Sequence, residues 1–293
     1  MTGIGIWQRR LLIGLPFLWL AVFFLLPLAM VAGISVTESA DAIPPFEPLL
    51  RHTAAGWQAH ATFASYRELA EGCLRVYVNS LANAGLATLL CLVMGYPIAF
   101  AIVRAPAVSR HALLFLVMLP FWTSFLIRVY AWIAILQPSG LINRLLIAGG
   151  LIETPLPLLY NGFSVVLGLV YSYLPFMILP LYGSLSRLDE ALVEAAADLG
   201  APPWRVFLGV VLPLTLPGIA AGTLLVFIPA IGEFVIPDLL GGPDTLMIGK
   251  LLWQEFFDNV DWPAASAVAM ALVAVVTLPL LLAQRVIERQ QAG

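Results

Sequence analysis

The sequence is short of charge. Asp, Glu, Lys and Arg make up 11% of the 293 residues, and 61% are hydrophobic; a soluble domain carries roughly 25% charged residues. An ordinary soluble globule is excluded, and a net charge of −3 argues against a nucleic-acid partner. Cysteine is nearly missing. Cys73 and Cys91 lie far apart, Cys91 sits inside an apolar run, and no disulfide framework is implied. His52, His60 and His111 show no metal-ligand spacing with Cys or carboxylates, so no metal site and no catalytic constellation is expected. There is no phosphate-binding loop of the form G-x-x-x-x-G-K followed by Ser or Thr. The chain is therefore expected to hydrolyse no ATP and to bind no cofactor of its own. No A-x-A-like cleavage site follows the first apolar run, which is too long for a signal peptide and reads as a retained span.

What the chain has in abundance is long apolar sequence, with a mean hydropathy of +0.96. Crossing a bilayer takes about 20 apolar residues. Six runs qualify: Leu11–Ile34, Val78–Val103, Ala112–Leu136, Gly162–Leu185, Leu216–Ile236 and Ala264–Ala283. Backbone in lipid must satisfy its own hydrogen bonds, so all six are expected to be helices. The predicted fold is an all-α membrane protein with six transmembrane helices in a single domain, 11–285, flanked by a short N-terminus, 1–10, and a tail, 286–293. Arg9, Arg10, Arg104, Arg110, Arg187, Arg205, Arg285 and Arg289 collect on one side; Arg51, Arg67, Arg75, Arg144 and Lys250 collect on the other, over longer loops. The positive-inside bias places both termini in the cytoplasm. The loop 186–215 joins them there, and the loops 35–77, 137–161 and 237–263 lie outside. No internal repeat is readable, so a fused inverted-repeat transporter is not supported. Within the last outer loop, Thr245–Phe257 has apolar residues at helical spacing. It reads either as an interfacial or re-entrant helix or as a packed loop helix.

The cytoplasmic loop interrupts the greasy sequence with four acids, Asp189, Glu190, Glu194 and Asp198. Leu185, Leu188, Leu192, Ala195, Ala196 and Leu199 follow the spacing of one helix face, and Glu190, Glu194 and Asp198 form a polar stripe. Gly200 suits the left-handed position past a helix end, Pro202 cannot continue the helix, and Pro203 fits the first turn of the next one. The result is a helix, a sharp turn and a second helix, with little side-chain bulk at Ala195 and Ala196. Residue physics leaves two readings open: an element that docks into a partner's cleft, or a loop packed under its own bundle.

A resemblance separates them. Glu194, Ala195 and Ala196, then Gly200, then Val210, Leu212 and Pro213 reproduce the E-A-A, G, aliphatic-x-L-P signature of permease subunits of bacterial ABC importers. The segments "LPFWTSFLIRVYAW", "YSYLPFMILPLY", "IPAIGEFVIPDLLGGPDTLMIGKLLWQEFF" and "DWPAASAVA" resemble the polyamine branch, most of all a putrescine permease that pairs with a second homologous permease. The likeness runs from about Leu11 to about Leu282. It implies the type I importer permease fold, with the loop 186–215 as the coupling helix. Glu194, Ala195, Ala196, Asp198, Gly200 and Pro213 would then meet an ATPase dimer that carries ATP and Mg. It also implies a second permease subunit, an extracytoplasmic binding protein and a bacterial inner-membrane location, with putrescine or spermidine as substrate. The alternatives are a permease for another small solute, a stand-alone secondary transporter or channel, and a membrane enzyme. The docking-type loop and the shortage of buried acids speak against the second of these, and the missing catalytic cluster against the third.

Two ionisable residues fall inside predicted spans, Arg128 and Glu233, both roughly 25 Å up from the cytoplasmic ends. Charge at that depth faces a cavity or a partner. Either Glu233 faces the pathway and attracts an ammonium, or Arg128 and Glu233 form a structural ion pair. A polyamine needs carboxylates along a path and aromatic faces. Glu233 and Asp238 are the acids, with Trp122, Tyr130, Trp132, Tyr171 and Tyr173 in the outer halves of spans. Asp238 also reads as a solvated turn acid, and each aromatic alone as a membrane-interface anchor. Glu255, Asp258 and Asp261 are candidates for facing the binding protein.

Overall fold

The computed structural model describes residues 6–53 and 56–291. Apart from one short antiparallel hairpin in the first outer loop, Leu50–Thr53 with Gly56–Ala59, the described residues form helices and connecting segments. Five helices among them are long and apolar enough to cross a membrane: Leu12–Ile34, Leu74–Arg104, Phe125–Ala148, Gly162–Leu185 and Pro203–Ile231. Ala107–Trp122 and Trp262–Thr277 are shorter apolar helices, and the last of these continues to Gln291.

The expected third span, Ala112–Leu136, is not one helix. Ala107–Met118 tightens into a 3₁₀ turn at Leu119–Trp122, the chain extends at Thr123, and the span that follows is made of two helices, Phe125–Leu136 and Leu141–Ala148. Pro120 lies inside the break, and it has no N–H to give a helical ladder. The expected fifth span also ends early. Its helix stops at Ile231, five residues short of Ile236, and resumes as the short helix Val235–Leu239.

Contacts divide the chain into two compact units, one made of the chain up to Leu74 plus Leu251–Ala274, the other of Arg75–Lys250 plus the residues from Val275. In the first unit, the 23 residues Leu12–Ile34 bury no side chain, so this helix presents apolar surface all round. An aromatic cluster forms beyond it: Phe256 stacks on Trp262 at 5.2 Å, and Phe46 lies 6.2 Å from the same indole. Asp261 caps the last helix by accepting from Ala264 N at 3.0 Å, and Glu255 accepts from Asn259 Nδ2 at 2.9 Å.

The second unit holds most of the core. Its centre is the crossing of Gly162–Leu185 with Leu212–Ile231. Lipid tails are as apolar as leucine, so helices associate there by close packing of small residues rather than by hydrophobicity. Gly222 lies against Met177, and a Cβ placed there would come within 2.7 Å of its sulfur. A Cβ at Gly218 would come within 2.8 Å of the Pro180 carbonyl. The Leu74 helix adds a third layer through one stripe of mostly small residues, Ser80, Ala84, Ala87, Cys91, Gly95 and Ala99, all buried. Polar links fix the register. Tyr96 and Thr215 hydroxyls meet at 2.9 Å, Ile248 N donates to Ser80 Oγ at 2.7 Å, and Ser164 Oγ donates to the Leu240 carbonyl at 2.7 Å. Buried Asn143 holds the loop after Ala148 by bonding both Leu156 N and Leu156 O. Asn161 and Ser164 form a capping box at the start of the Gly162 helix.

The Thr245–Phe257 segment is buried in its first half and exposes Trp253 and Phe257, at 41% and 55%, in its second. Met247 and Ile248 are fully buried, and the helix Ile248–Trp253 runs on as a π turn through Gln254–Asp258.

Candidate functional site

Two groups of residues in the second unit have a geometry that needs a functional account. The first is the loop between the Gly162 and Leu212 helices. Asp189 Oδ1 accepts from Ala191 N at 3.0 Å, starting the helix Glu190–Asp198. Gly200 has φ +81, the left-handed value a helix stop requires. Ala201 N donates to the Ala196 carbonyl at 3.2 Å and Gly200 N to the Ala197 carbonyl at 2.8 Å. This pair of bonds is the full Schellman closure. Pro203 opens the next helix, Pro203–Val206, which widens into a π turn over Phe207–Val211. Pro213 follows after Leu212 and cannot donate to the carbonyl four residues back, which accounts for a widened turn at that place.

The six residues spaced as one helix face do not all share a helix. The Gly162 helix ends at Leu185, so Leu185 and Leu188 do not share a helix with Leu192. Of that face Ala196 is half-buried, together with Val193, while Leu192 and Leu199 are exposed at 49% and 89%. Glu194, Ala195, Asp198 and Gly200 are exposed with them. A short helix with rigid ends thus presents acids, a small residue and bare leucines together. Behind it is a cavity of about 400 Å³ whose walls include Arg104, Arg110, Glu190 and Glu194. Arg110 Nη2 donates to the Val103 carbonyl at 2.5 Å, and its Nε is buried without a partner.

The second group is the break at Gly232. Glu233 sits between two helices rather than inside one. Its Oε1 accepts from Phe234 N at 3.2 Å and Val235 N at 3.0 Å, capping the Val235 helix, and the Tyr173 hydroxyl donates to Oε2. A carboxylate has about four lone-pair sites, so three donors leave one open. The backbone side of the break is covered by Gly249, where a Cβ would fall 2.6 Å from the Glu233 carbonyl oxygen. Irregular backbone at membrane depth survives only where protein covers it or a cavity adjoins it, and Gly249 supplies the cover here.

Glu233 forms no ion pair with Arg128 among the described residues, contrary to the pairing considered from the sequence. Arg128 instead lies over the rings of Phe121, at 5.1 Å, and Phe125, at 5.6 Å, with Nε and Nη1 buried and unpartnered. Phe121 meets Phe176 edge-on at 5.1 Å, and Phe176 lies 6.2 Å from Tyr173. Aromatic rings therefore stand between the two charges, and Glu233 takes its bonds from the nearest donors. Asp238 lies in the helix Val235–Leu239 and is exposed, and Lys250 Nζ pairs with it at 3.1 Å. Of the aromatics, only Tyr173 touches Glu233. Trp132 and Tyr171 form their own edge-on pair at 5.4 Å, Trp122 is 76% exposed against Phe115, and Tyr130 is 57% exposed. Phe121, Phe176, Lys250 and Gly249 were not singled out from the sequence. Pro175–Phe176 inside a span was the one available signal for Phe176.

Fold and sites together define the class: a helical multi-pass membrane protein whose polar features are a protruding turn-built element and a covered carboxylate at a helix break. The chain belongs to the family described as binding-protein-dependent transport system inner membrane component, which matches residues 9–292. It is thus an inner-membrane transport component and not an enzyme. It is 40% identical over 271 residues to the spermidine/putrescine transport system permease protein PotB of Haemophilus influenzae, covering 92% of this chain and 91% of that one. Identity to the protein of the same name from Escherichia coli K12 is also 40%, over 90% and 92% of the two chains. Among solved structures, a bacterial ABC transporter importing the acidic polysaccharide alginate superposes with a TM-score of 0.68 at 19% identity, over 97% of this chain and 96% of that chain. The MetNI methionine transporter superposes at 0.55 and 17%, over 74% and 94%. At those identities the structures support the fold, and they are ABC importer permeases.

Proposed function

We propose that this chain is a transmembrane subunit of an ATP-driven polyamine importer, with putrescine the first substrate to test. The observation that carries the substrate class is the 40% identity, along nine-tenths of both chains, to spermidine/putrescine permeases. A second, homologous permease completes the pathway, an extracytoplasmic binding protein delivers the polyamine, and a partner ATPase dimer holds ATP and Mg. The termini and the Glu194 loop lie in the cytoplasm, a placement that the arginine distribution supports.

The geometry supports a role for each site. The exposed helix Glu190–Asp198, stopped rigidly at Gly200, is shaped to seat in a cleft of the ATPase. Closure of the ATPase dimer moves this helix, and the Pro203–Ile231 segment joined to it carries the displacement toward the break at Glu233. Glu233 supplies the negative charge that a protonated amine needs inside the membrane, and Tyr173 fixes its orientation. The test is uptake by the four-component system reconstituted in vesicles, with labelled putrescine against spermidine. ATP-dependent accumulation of either amine upholds the reading. Accumulation of neither, under conditions where another small solute is transported, overturns the substrate assignment.

A further inference from the structure

Beside the Tyr173–Glu233 bond lies a groove of about 450 Å³, lined by Tyr173, Phe176, Leu224, Leu225, Ile228 and Pro229. None of the six is an acid or a base with charge at neutral pH. Tyr173 belongs to the groove and to the carboxylate at once: its ring forms a wall, and its hydroxyl donates to Glu233 Oε2. Phe176, on the same wall, backs onto Phe121, whose face already carries the Arg128 guanidinium at 5.1 Å. The surroundings are therefore polarised. Behind Tyr173 stands an anion with an acceptor site to spare, and behind Phe176 and Phe121 stands a fixed cation. An entering ammonium is drawn to the first and repelled by the second.

We propose that this groove is a single-ended alkylammonium subsite. One terminal ammonium takes the acceptor site that Tyr173 and the two backbone N–H groups leave free on Glu233, with the ring of Tyr173 beside it. The methylenes lie along Leu224, Leu225 and Ile228. The proposal rests on the polyamine reading and adds to it where the chain lies and which way it points. The groove lining itself contains no acid, Glu233 is reached only past Tyr173, and Asp238, the other acid considered for the pathway, is engaged by Lys250. This subunit then reads one end of a diamine, and the far charge is met by a group outside this chain. It follows that a monoamine of matching alkyl length fills the groove as well as a diamine does.

Leu225 lines the groove and is 49% exposed, so a thiol there reports on occupancy. The full-length Leu225→Cys protein, reconstituted in lipid nanodiscs, is labelled with methyl methanethiosulfonate, a small neutral reagent, and modification of the peptide bearing residue 225 is followed by mass spectrometry. Butylamine and putrescine are each expected to slow labelling at least about tenfold at saturation, the equivalent of 1.4 kcal/mol of exclusion; 1-butanol at equal concentration leaves the rate unchanged. Adding Glu233→Gln, which keeps the acceptor for the backbone cap but removes the charge, abolishes protection while unprotected labelling proceeds at the parental rate. Equal protection by butanol, undiminished protection after Glu233→Gln, protection by putrescine alone, or none by either amine overturns the subsite. Uptake by the wild-type importer is scored separately. Polyamine transport without protection defeats the groove and leaves the substrate reading intact; protection without polyamine transport does the reverse.

Discussion

The Glu194 loop and the Glu233 break are both places where a helix stops, and they are held in opposite ways. The loop is closed by its own backbone: Ala201 to Ala196, Gly200 to Ala197, and a local cap from Asp189. Glu194, Ala195, Asp198 and Leu199 are left exposed. At the break, the side chain does the closing. Glu233 bonds two backbone N–H groups and a tyrosine sixty positions away in the chain, and Gly249 covers the carbonyls from a third segment. A stop made by backbone can spare its side chains for a partner. A stop made by a side chain ties function to fold, so substitutions there change both.

That contrast predicts the largest loss at Gly249. A methyl on this residue would lie 2.6 Å and 2.8 Å from the carbonyl oxygen and carbon of Glu233, and neither is the movable end of a side chain. Gly249→Ala is expected to cost about 1–3 kcal/mol by overpacking and Gly249→Val to prevent accumulation of the folded protein. Thermal unfolding in detergent reads both. A Gly249→Val protein with wild-type unfolding temperature would show that the break is not held from that side.

Next in size is Glu194→Arg, which should abolish ATP-dependent uptake and co-purification with the ATPase while leaving membrane insertion and unfolding temperature unchanged. The combination matters, because a loop closed by backbone can lose a side chain without losing its shape. Wild-type uptake in this variant would remove Glu194 from the coupling role. Glu233→Gln comes third. Loss of one charge-assisted hydrogen bond, about 1.5–3 kcal/mol, should raise the substrate concentration for half-maximal uptake by roughly tenfold or more. Tyr173→Phe, which removes one neutral donor worth about 1 kcal/mol, should raise it about fivefold. If Tyr173→Phe proved the more damaging, the hydroxyl rather than the carboxylate would be the group that meets substrate.

The same contrast explains what could be read in the amino-acid string. The stop at Gly200 was legible because every part of it lies within a few residues: an acid cap, a run of alanines, a glycine and two prolines. The span Gly162–Leu185 was legible for the same reason, as unbroken apolar sequence, and it appears with those bounds. The division of Ala112–Leu136 was hidden by hydropathy, which averages over Pro120 and the Thr123–Ser124 pair that starts the next helix. The partner of Glu233 was out of reach altogether. Arg128 looked like its natural counter-ion at equal depth, but depth along a helix says nothing about which face a residue shares. The rings of Phe121 and Phe176 that separate the two charges come from segments more than fifty positions apart.

The smallest effect belongs to the pair that lies on neither side of the contrast. Asp238 and Lys250 meet at 3.1 Å with side chains 41% and 25% exposed. Ion pairs as accessible as this contribute about 0–1 kcal/mol, and salt screens the exposed part. Lys250→Ala should therefore lower the unfolding temperature by no more than about 2–4 °C, with the difference shrinking as salt is raised. The informative measurement is uptake rather than stability. Releasing Asp238 places a second unpaired carboxylate on the same unit as Glu233. If the subunit reads only one end of a diamine because Asp238 is occupied, Lys250→Ala should lower the half-saturating concentration for putrescine while leaving butylamine protection at residue 225 unchanged. An equal change for both amines would mean that Asp238 acts on the shared ammonium and that the groove has two anionic ends.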